Sequence, residues 1–153
     1  MENWQIILLV IGVLIVFVAS IMLIRGDETY LLKNITKTPS DYIKENQIEI
    51  MDDKIIIYVE NPSLSKYADT GSMIPLLNEY SNGIRIIPDS EEDIFVGDIV
   101  TFEKDNRLIV HRVIEKGSDE DGTFFVTKGD NVSISDGKIR FSDIKYKTIG
   151  VLW

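Results

Sequence analysis

Three short segments of the chain contain side chains that could carry out covalent chemistry. Ser72 follows a glycine within residues 70–75, His111 is the only histidine, and Asp130 and Asp136 lie six positions apart. A serine hydroxyl is a poor nucleophile unless a neighbouring base takes its proton, and the base needs a partner that orients it. The chain therefore holds a candidate for each role in nucleophilic catalysis.

Each candidate also has a simpler interpretation. The glycine before Ser72 allows the hydroxyl to project from a sharp turn, but a loop serine can equally cap the turn that follows it. Alternation places His111 on the face of Ile109 and Val113, where a lone histidine is either a core residue or a neutral general base. Residues 128–136 belong to the site or form only a charged turn.

The three segments, 70–75, 111–113 and 128–136, resemble in order and spacing the sequence boxes of type I signal peptidases. The resemblance is to the branch found in archaea and the endoplasmic reticulum, which pairs its serine with a histidine where the bacterial branch uses a lysine. It extends from about Tyr67 to the C-terminus and implies a mainly β domain with serine endopeptidase activity.

The resemblance also implies a role for each site residue. Asp136 is the more usual partner of the histidine and Asp130 supports its own turn, although the sequence leaves open which of the two orients the ring. Thr70 either donates to an oxyanion together with the Ser72 amide or satisfies its own turn. The implied site is as follows: Ser72 as nucleophile, His111 as base, Asp136 and Asp130 as acids, Thr70 and Ser72 at the oxyanion, Met73 and Ile74 lining the substrate site.

Residues 5–24 form an uncharged apolar stretch, rich in Ile, Leu and Val, that precedes Arg25. As an α-helix this stretch spans roughly 30 Å, the thickness of a hydrocarbon core. A cleaved signal peptide fits less well, because its apolar core would be about 7–15 residues long and no small-residue cleavage pattern follows. We expect a transmembrane helix over 5–24, between a flank over 1–4 and a juxtamembrane linker over 25–38.

The rest of the chain carries almost the whole formal charge of −9. An acidic surface argues against binding to nucleic acid. The chain has no cysteine, which excludes disulfides and thiolate metal sites, and the spacing of Asp130 and Asp136 lacks the dense oxygen ligands of a calcium loop. We expect no metal, no cofactor and no nucleic-acid partner.

Residues 39–153 are expected to form one mainly β domain of short strands. The clearest element is a hairpin that turns at residues 104–106. The predicted strands cover 47–51, 54–60, 84–87, 97–103, 107–115 and 123–127, with a final strand or two over 141–153. A short helix over 39–46, a turn or short helix over 76–82 and a polar loop over 116–122 complete the prediction.

These features together predict a membrane-anchored serine endopeptidase that removes signal peptides from exported preproteins. Its contact with lipid would be made through residues 5–24. Such an enzyme must have its catalytic domain on the extracytoplasmic side, although Arg25, Lys33 and Lys37 favour the cytoplasmic side by the positive-inside rule. The alternatives are a specialised processing peptidase of the same fold and a non-catalytic anchored module that binds extended peptides.

Overall fold

The computed structural model describes residues 4, 11–16 and 37–153. Its contacts divide the chain into two units, Met1–Ile35 and Thr36–Trp153. Residues 11–16 are α-helical, and the remainder of the transmembrane helix predicted over 5–24 lies outside the described residues. Within the described part of the chain, no helix has both the length and the apolar character needed to cross a membrane.

The second unit is mainly β, as the sequence predicts, and all of its strand pairs are antiparallel. Its strands are β1 Ile48–Ile50, β2 Ile55–Ile57, β3 Ser63–Lys66, β4 Asn82–Ile86, β5 Ile99–Lys104, β6 Arg107–Asp119, β7 Gly122–Lys128, β8 Gly137–Ile139 and β9 Ile144–Leu152. Strands β1 and β2 form a separate hairpin, and the other seven form one sheet in the order β3-β4-β9-β5-β6-β7-β8. Short 3₁₀ helices cover Glu45–Gln47, Glu91–Asp93 and Phe141–Asp143.

Alternation along β5 divides the core into two clusters on opposite faces of the strand. Val100 and Phe102 are fully buried in the larger cluster, whereas Ile99 belongs to the smaller one. The larger cluster also contains Ile94, Val113, Phe125, Ile139 and Ile144, and the smaller one contains Met73 and Leu77. The smaller cluster therefore joins the sheet to the segment that carries Ser72.

The hairpin of β5 and β6 forms where the sequence places it. Its two-residue turn consists of Asp105 and Asn106, whose φ angles are 51° and 58°. Asp and Asn tolerate these left-handed angles, and two such residues make the turn that matches the twist of paired strands. Ile109 packs against the larger core cluster and Val113 lies in it, so the predicted face of β6 is confirmed.

The helix predicted over 39–46 is wrong, since only Glu45–Gln47 form a single 3₁₀ turn there. Ser40 makes tertiary contacts instead of starting a helix. Its backbone N–H donates to Asp98 Oδ1 at 2.7 Å, and its hydroxyl accepts from Lys147 Nζ at 2.8 Å. Hydrogen bonds to a buried ion pair therefore outweigh the local helix-start signal.

The polar loop predicted over 116–122 is also wrong, because β6 continues to Asp119 and turns directly into β7. A bulge between Val113 and Glu115 shifts the register, and the strand then continues with polar residues. Gly117 lies under the ring of Phe124, which leaves no room for a side chain at that position. Cross-strand packing, which composition does not reveal, extends this strand.

Candidate active site

Ser72 lies in a turn between β3 and β4 that runs past the smaller core cluster. Gly71 adopts a φ of +67°, a left-handed angle that favours glycine, and the Ile74–Pro75 peptide bond is cis. Met73 is only 4% exposed and packs with Leu77 in the smaller cluster. The side chain next to Ser72 thus anchors the turn to the sheet.

His111 and Asp136 form a close pair, although they are far apart in the sequence. The distance from His111 Nδ1 to Asp136 Oδ2 is 2.7 Å, and the two side chains are only 12% and 15% exposed. Asp136 Oδ2 also accepts a hydrogen bond from the fully buried Thr127 at 2.8 Å. The buried face of the ring lies near Phe102, with 6.4 Å between ring centroids. Phe102 on β5, Thr127 on β7 and Asp136 between β7 and β8 therefore hold the imidazole in one orientation.

This pairing defines what the imidazole can do. An ionised carboxylate only accepts hydrogen bonds, so His111 must carry its proton on Nδ1 when it bonds to the carboxylate of Asp136. The other nitrogen, Nε2, is then a free acceptor in the neutral ring. This is the tautomer that a general base for a serine hydroxyl requires.

Residues 70–75, which carry Ser72, are called here the serine turn. The Nε2 side of the His111 ring faces this turn across Gly129. A Cβ atom on Gly129 would lie 2.6 Å from the Ser72 carbonyl oxygen and 2.9 Å from His111 Nε2. Both atoms therefore lie so close to the Cα atom of residue 129 that a side chain at this position would clash with them. The backbone around residue 129 brings the histidine and the serine turn together.

Two hydrogen bonds attach residues 129–131, called here the 129–131 loop, to the serine turn. The backbone N–H of Asn131 donates to the Ser72 carbonyl at 2.8 Å. The side-chain amide of Asn131 donates to the Gly71 carbonyl at 3.0 Å. The loop therefore fixes the two backbone carbonyl groups that come directly before and after the Cα atom of Ser72.

Asp130 binds Arg112 and not His111. The Arg112 Nε donates to Asp130 Oδ1 at 2.8 Å, and Nη2 donates to Oδ2 at 2.6 Å. The arginine side chain is 6% exposed, and its Nη1 also donates to the carbonyl of Gly97 at 2.8 Å. The two aspartates that the sequence could not distinguish thus have different partners, and Asp136 is the one on the histidine.

The Ser72 hydroxyl is not hydrogen-bonded to His111 among the contacts of residues 37–153. It lies 3.2 Å from Thr70 Oγ1, and the Ser72 backbone N–H points to the same oxygen at 3.4 Å. Thr70 therefore contacts both groups that the sequence assigns to nucleophile and oxyanion site. Its own side chain is exposed.

A cavity of about 260 Å³ opens beside Ser72. The cavity is lined by residues of the serine turn, the end of β3 and strands β4, β5 and β6. They include Thr70, Met73 and Leu108. Ile74, expected from the sequence to line the substrate site, is 45% exposed and is not part of this lining. Met73 is both a lining residue and a core residue.

No group of three or more acidic or histidine side chains within the described ranges converges on a point that could hold a metal ion. Lys128 also has no part in the Ser72–His111 arrangement. Its Nζ donates to the carbonyls of Gly129 and Val132 at 3.1 and 2.8 Å. The only roles that these contacts support for Lys128 are structural ones, at the base of the 129–131 loop.

The contacts of three site residues could not be read from the sequence, although Gly129 and Asn131 lie within the segment 128–136 that resembles a signal-peptidase box. Thr127 lies inside an ordinary strand pattern, and its contact with Asp136 depends on how β7 meets the following loop. Asn131 and Gly129 belong to a segment typical of a charged turn. Steric crowding at Gly129 is a property of the folded chain, so only the assembled site shows it.

Comparison with known proteins adds no relative from which a role could be transferred. No protein-family model matches the chain, and neither the curated proteins nor the solved structures that were compared give a match.

Proposed function

We propose that this chain is a serine endopeptidase whose catalytic residues are Ser72, His111 and Asp136. One observation carries the proposal, namely the 2.7 Å contact that fixes His111 Nδ1 on Asp136 Oδ2 while Nε2 faces the serine turn. A histidine with a purely structural role requires only the bond to a carboxylate. In this chain the second ring nitrogen also faces the turn that carries Ser72, and an open cavity lies beside that serine. The combination of these features favours catalysis over a purely structural role.

The proposed reaction begins when Ser72 Oγ attacks the scissile carbonyl and its proton passes to His111 Nε2. The resulting oxyanion is stabilised by the Ser72 N–H and the Thr70 hydroxyl. His111 then returns the proton to the leaving amine, which gives an acyl-enzyme ester. A water molecule that loses its proton to His111 hydrolyses the ester and restores Ser72.

This reaction requires a rotation of the Ser72 side chain. The hydroxyl contacts Thr70 Oγ1 in the unliganded chain, and a turn about the Cα–Cβ bond moves it between staggered positions. Catalytic hydrogen bonds are often long or misaligned before substrate binds. Release of Thr70 Oγ1 from Ser72 would also free the Thr70 hydroxyl to donate to the oxyanion.

The substrate is proposed to bind as an extended strand. Among residues 37–153, strand β3 is an edge strand because it pairs with β4 alone, and the cavity begins where β3 ends. A peptide that adds to such an edge makes backbone hydrogen bonds and places alternate side chains into pockets. This arrangement would bring a scissile bond past Ser72.

The biological substrates that we propose are signal-peptide-bearing preproteins, processed at the extracytoplasmic face of a cell membrane. The apolar stretch 5–24 supports this setting, and residues 11–16 within it form an α-helix whose side chains are exposed. An anchor of this kind raises the effective concentration of the enzyme near a membrane-bound substrate. A specialised peptidase that trims one class of surface protein would use the same site.

A non-catalytic peptide-binding module is the second candidate, and it is favoured by the Ser72–Thr70 contact. If that contact were permanent, Ser72 would act only as part of the turn. The test uses the full chain in detergent micelles with a panel of preproteins. We expect cleavage by the parent chain and loss of cleavage in Ser72→Ala and His111→Ala with unchanged folding. Equal behaviour of the parent and Ser72→Ala would favour the binding module.

A further inference from the structure

The cavity beside Ser72 has a charge opposite to that of the protein. The chain carries a formal charge of −9, yet the described residues that line this cavity include Lys66 and Arg85 and no acidic side chain. Among the contacts of residues 37–153, neither cation has a carboxylate within ion-pair distance. Two unpaired cations therefore lie in the same opening next to the candidate nucleophile.

Arg85 is held in a fixed position without being neutralised. Its Nε donates to Ser63 Oγ at 3.0 Å, and its guanidinium carbon lies 3.8 Å from the centroid of the Tyr146 ring. Stacking on an aromatic face and one hydrogen bond orient the planar group while its Nη atoms keep their donors. A guanidinium arranged in this way is suited to a planar carboxylate.

Two further side chains of the lining have no hydrogen-bond partner among the residues that the structure describes. Ser65 Oγ and Thr101 Oγ1 are buried and make no hydrogen bond, and Thr101 as a whole is only 2% exposed. Most buried hydroxyls in proteins are hydrogen-bonded, and leaving one unsatisfied costs about 1–3 kcal/mol. Ser65 and Thr101 belong to the lining of the same cavity as Arg85 and Ser72, but their hydroxyl oxygens have almost no accessible surface, so the donors open to a ligand are those of Arg85 and Lys66.

We propose that this cavity binds an acidic side chain, aspartate or glutamate, of the substrate close to the cleaved bond. Arg85 supplies the main charge-assisted donors, and Lys66 adds a second positive charge at the same opening. The inference rests on the proposed function, because it assigns the cavity to the peptide that Ser72 attacks. It goes beyond that function by naming the substrate side chain that the site selects.

The test is a binding assay that does not depend on turnover. Full-length Ser72→Ala chain in detergent micelles is titrated with labelled peptides that differ only at one position, which carries Asp, Asn or Ala. The variable position is moved through three residues on each side of the presumed cleavage site. At one position the Asp peptide should bind at least about tenfold more tightly than the Asn peptide, as expected for a charge-assisted hydrogen bond.

Variants assign this preference to the cavity. Arg85→Gln should abolish the preference for Asp, and Arg85→Lys should restore part of it because the charge is kept. Lys54→Gln, a matched loss of one charge at the exposed turn of the β1–β2 hairpin, should leave the preference unchanged.

The outcomes separate this inference from the proposed function. Equal binding of Asp and Asn peptides at every position, or a preference that survives Arg85→Gln, overturns the acidic pocket. If the active chain still cleaves peptides through Ser72 in that case, the peptidase proposal stands alone. Conversely, an Arg85-dependent preference without any cleavage supports the pocket and rejects the peptidase.

Discussion

Arg112 and Asp130 face each other through two parallel hydrogen bonds of 2.8 and 2.6 Å, and each of them is a sequence neighbour of the candidate site. Arg112 follows His111 on β6, and Asp130 follows Gly129 in the 129–131 loop. The pair therefore ties the strand that carries the proposed base to the loop that is hydrogen-bonded to the serine turn. It does so without contacting the proposed reacting atoms.

Asp130→Asn tests this positioning role. The substitution leaves Arg112 buried without its charge partner, which typically costs about 3–5 kcal/mol. We expect a large fall in the free energy of unfolding, measured by urea denaturation of the domain. Where the variant folds, the loop should loosen and kcat/KM should fall, and unchanged stability would contradict the structural assignment.

Asp136→Asn should separate chemistry from stability. An amide can donate to His111 Nδ1 and favour the wrong tautomer, so the proposed base would lose its free acceptor nitrogen. We expect kcat for peptide cleavage to fall by about ten-thousandfold, with a much smaller change in melting temperature. A variant that keeps its full kcat would remove Asp136 from the mechanism.

Gly129→Ala tests the close approach of the loop to the histidine and the serine turn. Its Cβ would lie within 2.9 Å of both the Ser72 carbonyl and His111 Nε2, so the site must open. We expect activity to fall by at least about a hundredfold, since small displacements of catalytic groups have effects of this size. Gly150→Ala is the matched control, because its nearest contacts are 3.4–3.7 Å and its activity should be normal.

Thr70→Val removes the hydroxyl assigned to the oxyanion but keeps the shape of the side chain. Loss of one donor of this kind reduces kcat by about a hundredfold to a thousandfold in acyl-transfer enzymes. Thr70→Ser retains the hydroxyl and should preserve most of the activity. If Val and Ser variants have equal kcat values in a peptide-cleavage assay, the Thr70 hydroxyl acts only on the turn.

The hairpin that carries His111 could be predicted because local patterns determine it. The alternation of apolar side chains in β5 and β6 and the Asp105–Asn106 turn are together enough to predict a two-stranded hairpin. The face of His111 follows from the same alternation. The β1–β2 hairpin, with its isoleucine-rich strands, was predictable for the same reason.

Other parts of the structure depend on contacts that no local pattern contains. Strand β3 has the sequence Ser-Leu-Ser-Lys, which has little β propensity, and it exists because it pairs with β4. Asp130 and Asp136 are chemically alike in the sequence, and only the path of the loop gives one to Arg112 and the other to His111. The unsatisfied hydroxyl of Thr101 could not be foreseen, because its cavity forms from four separate segments.

The buried pair of Asp98 and Lys147 should control the acid stability of the domain. Asp98 is fully buried, and this burial raises its pKa, but hydrogen bonds from Lys147 and from the backbone N–H groups of Ser40 and Phe95 outweigh it and lower the pKa below the ordinary value. A carboxylate with a lowered folded-state pKa stabilises the fold above its unfolded-state pKa. That stabilisation is lost as the pH falls below about 4.

Asp98→Asn should therefore cost stability at neutral pH and flatten the loss of stability in acid. Urea denaturation at several pH values between 7 and 3 measures both effects. We expect a loss of about 3–5 kcal/mol at pH 7, because Lys147 is left buried without its charge partner. Asp119→Asn is the control, because hydrogen bonds from Lys138 and Arg140 lower the pKa of Asp119 to about 2, yet these ion pairs are open to solvent and contribute little to stability. An equal effect of the two substitutions would mean that burial of the Asp98–Lys147 pair does not determine acid stability.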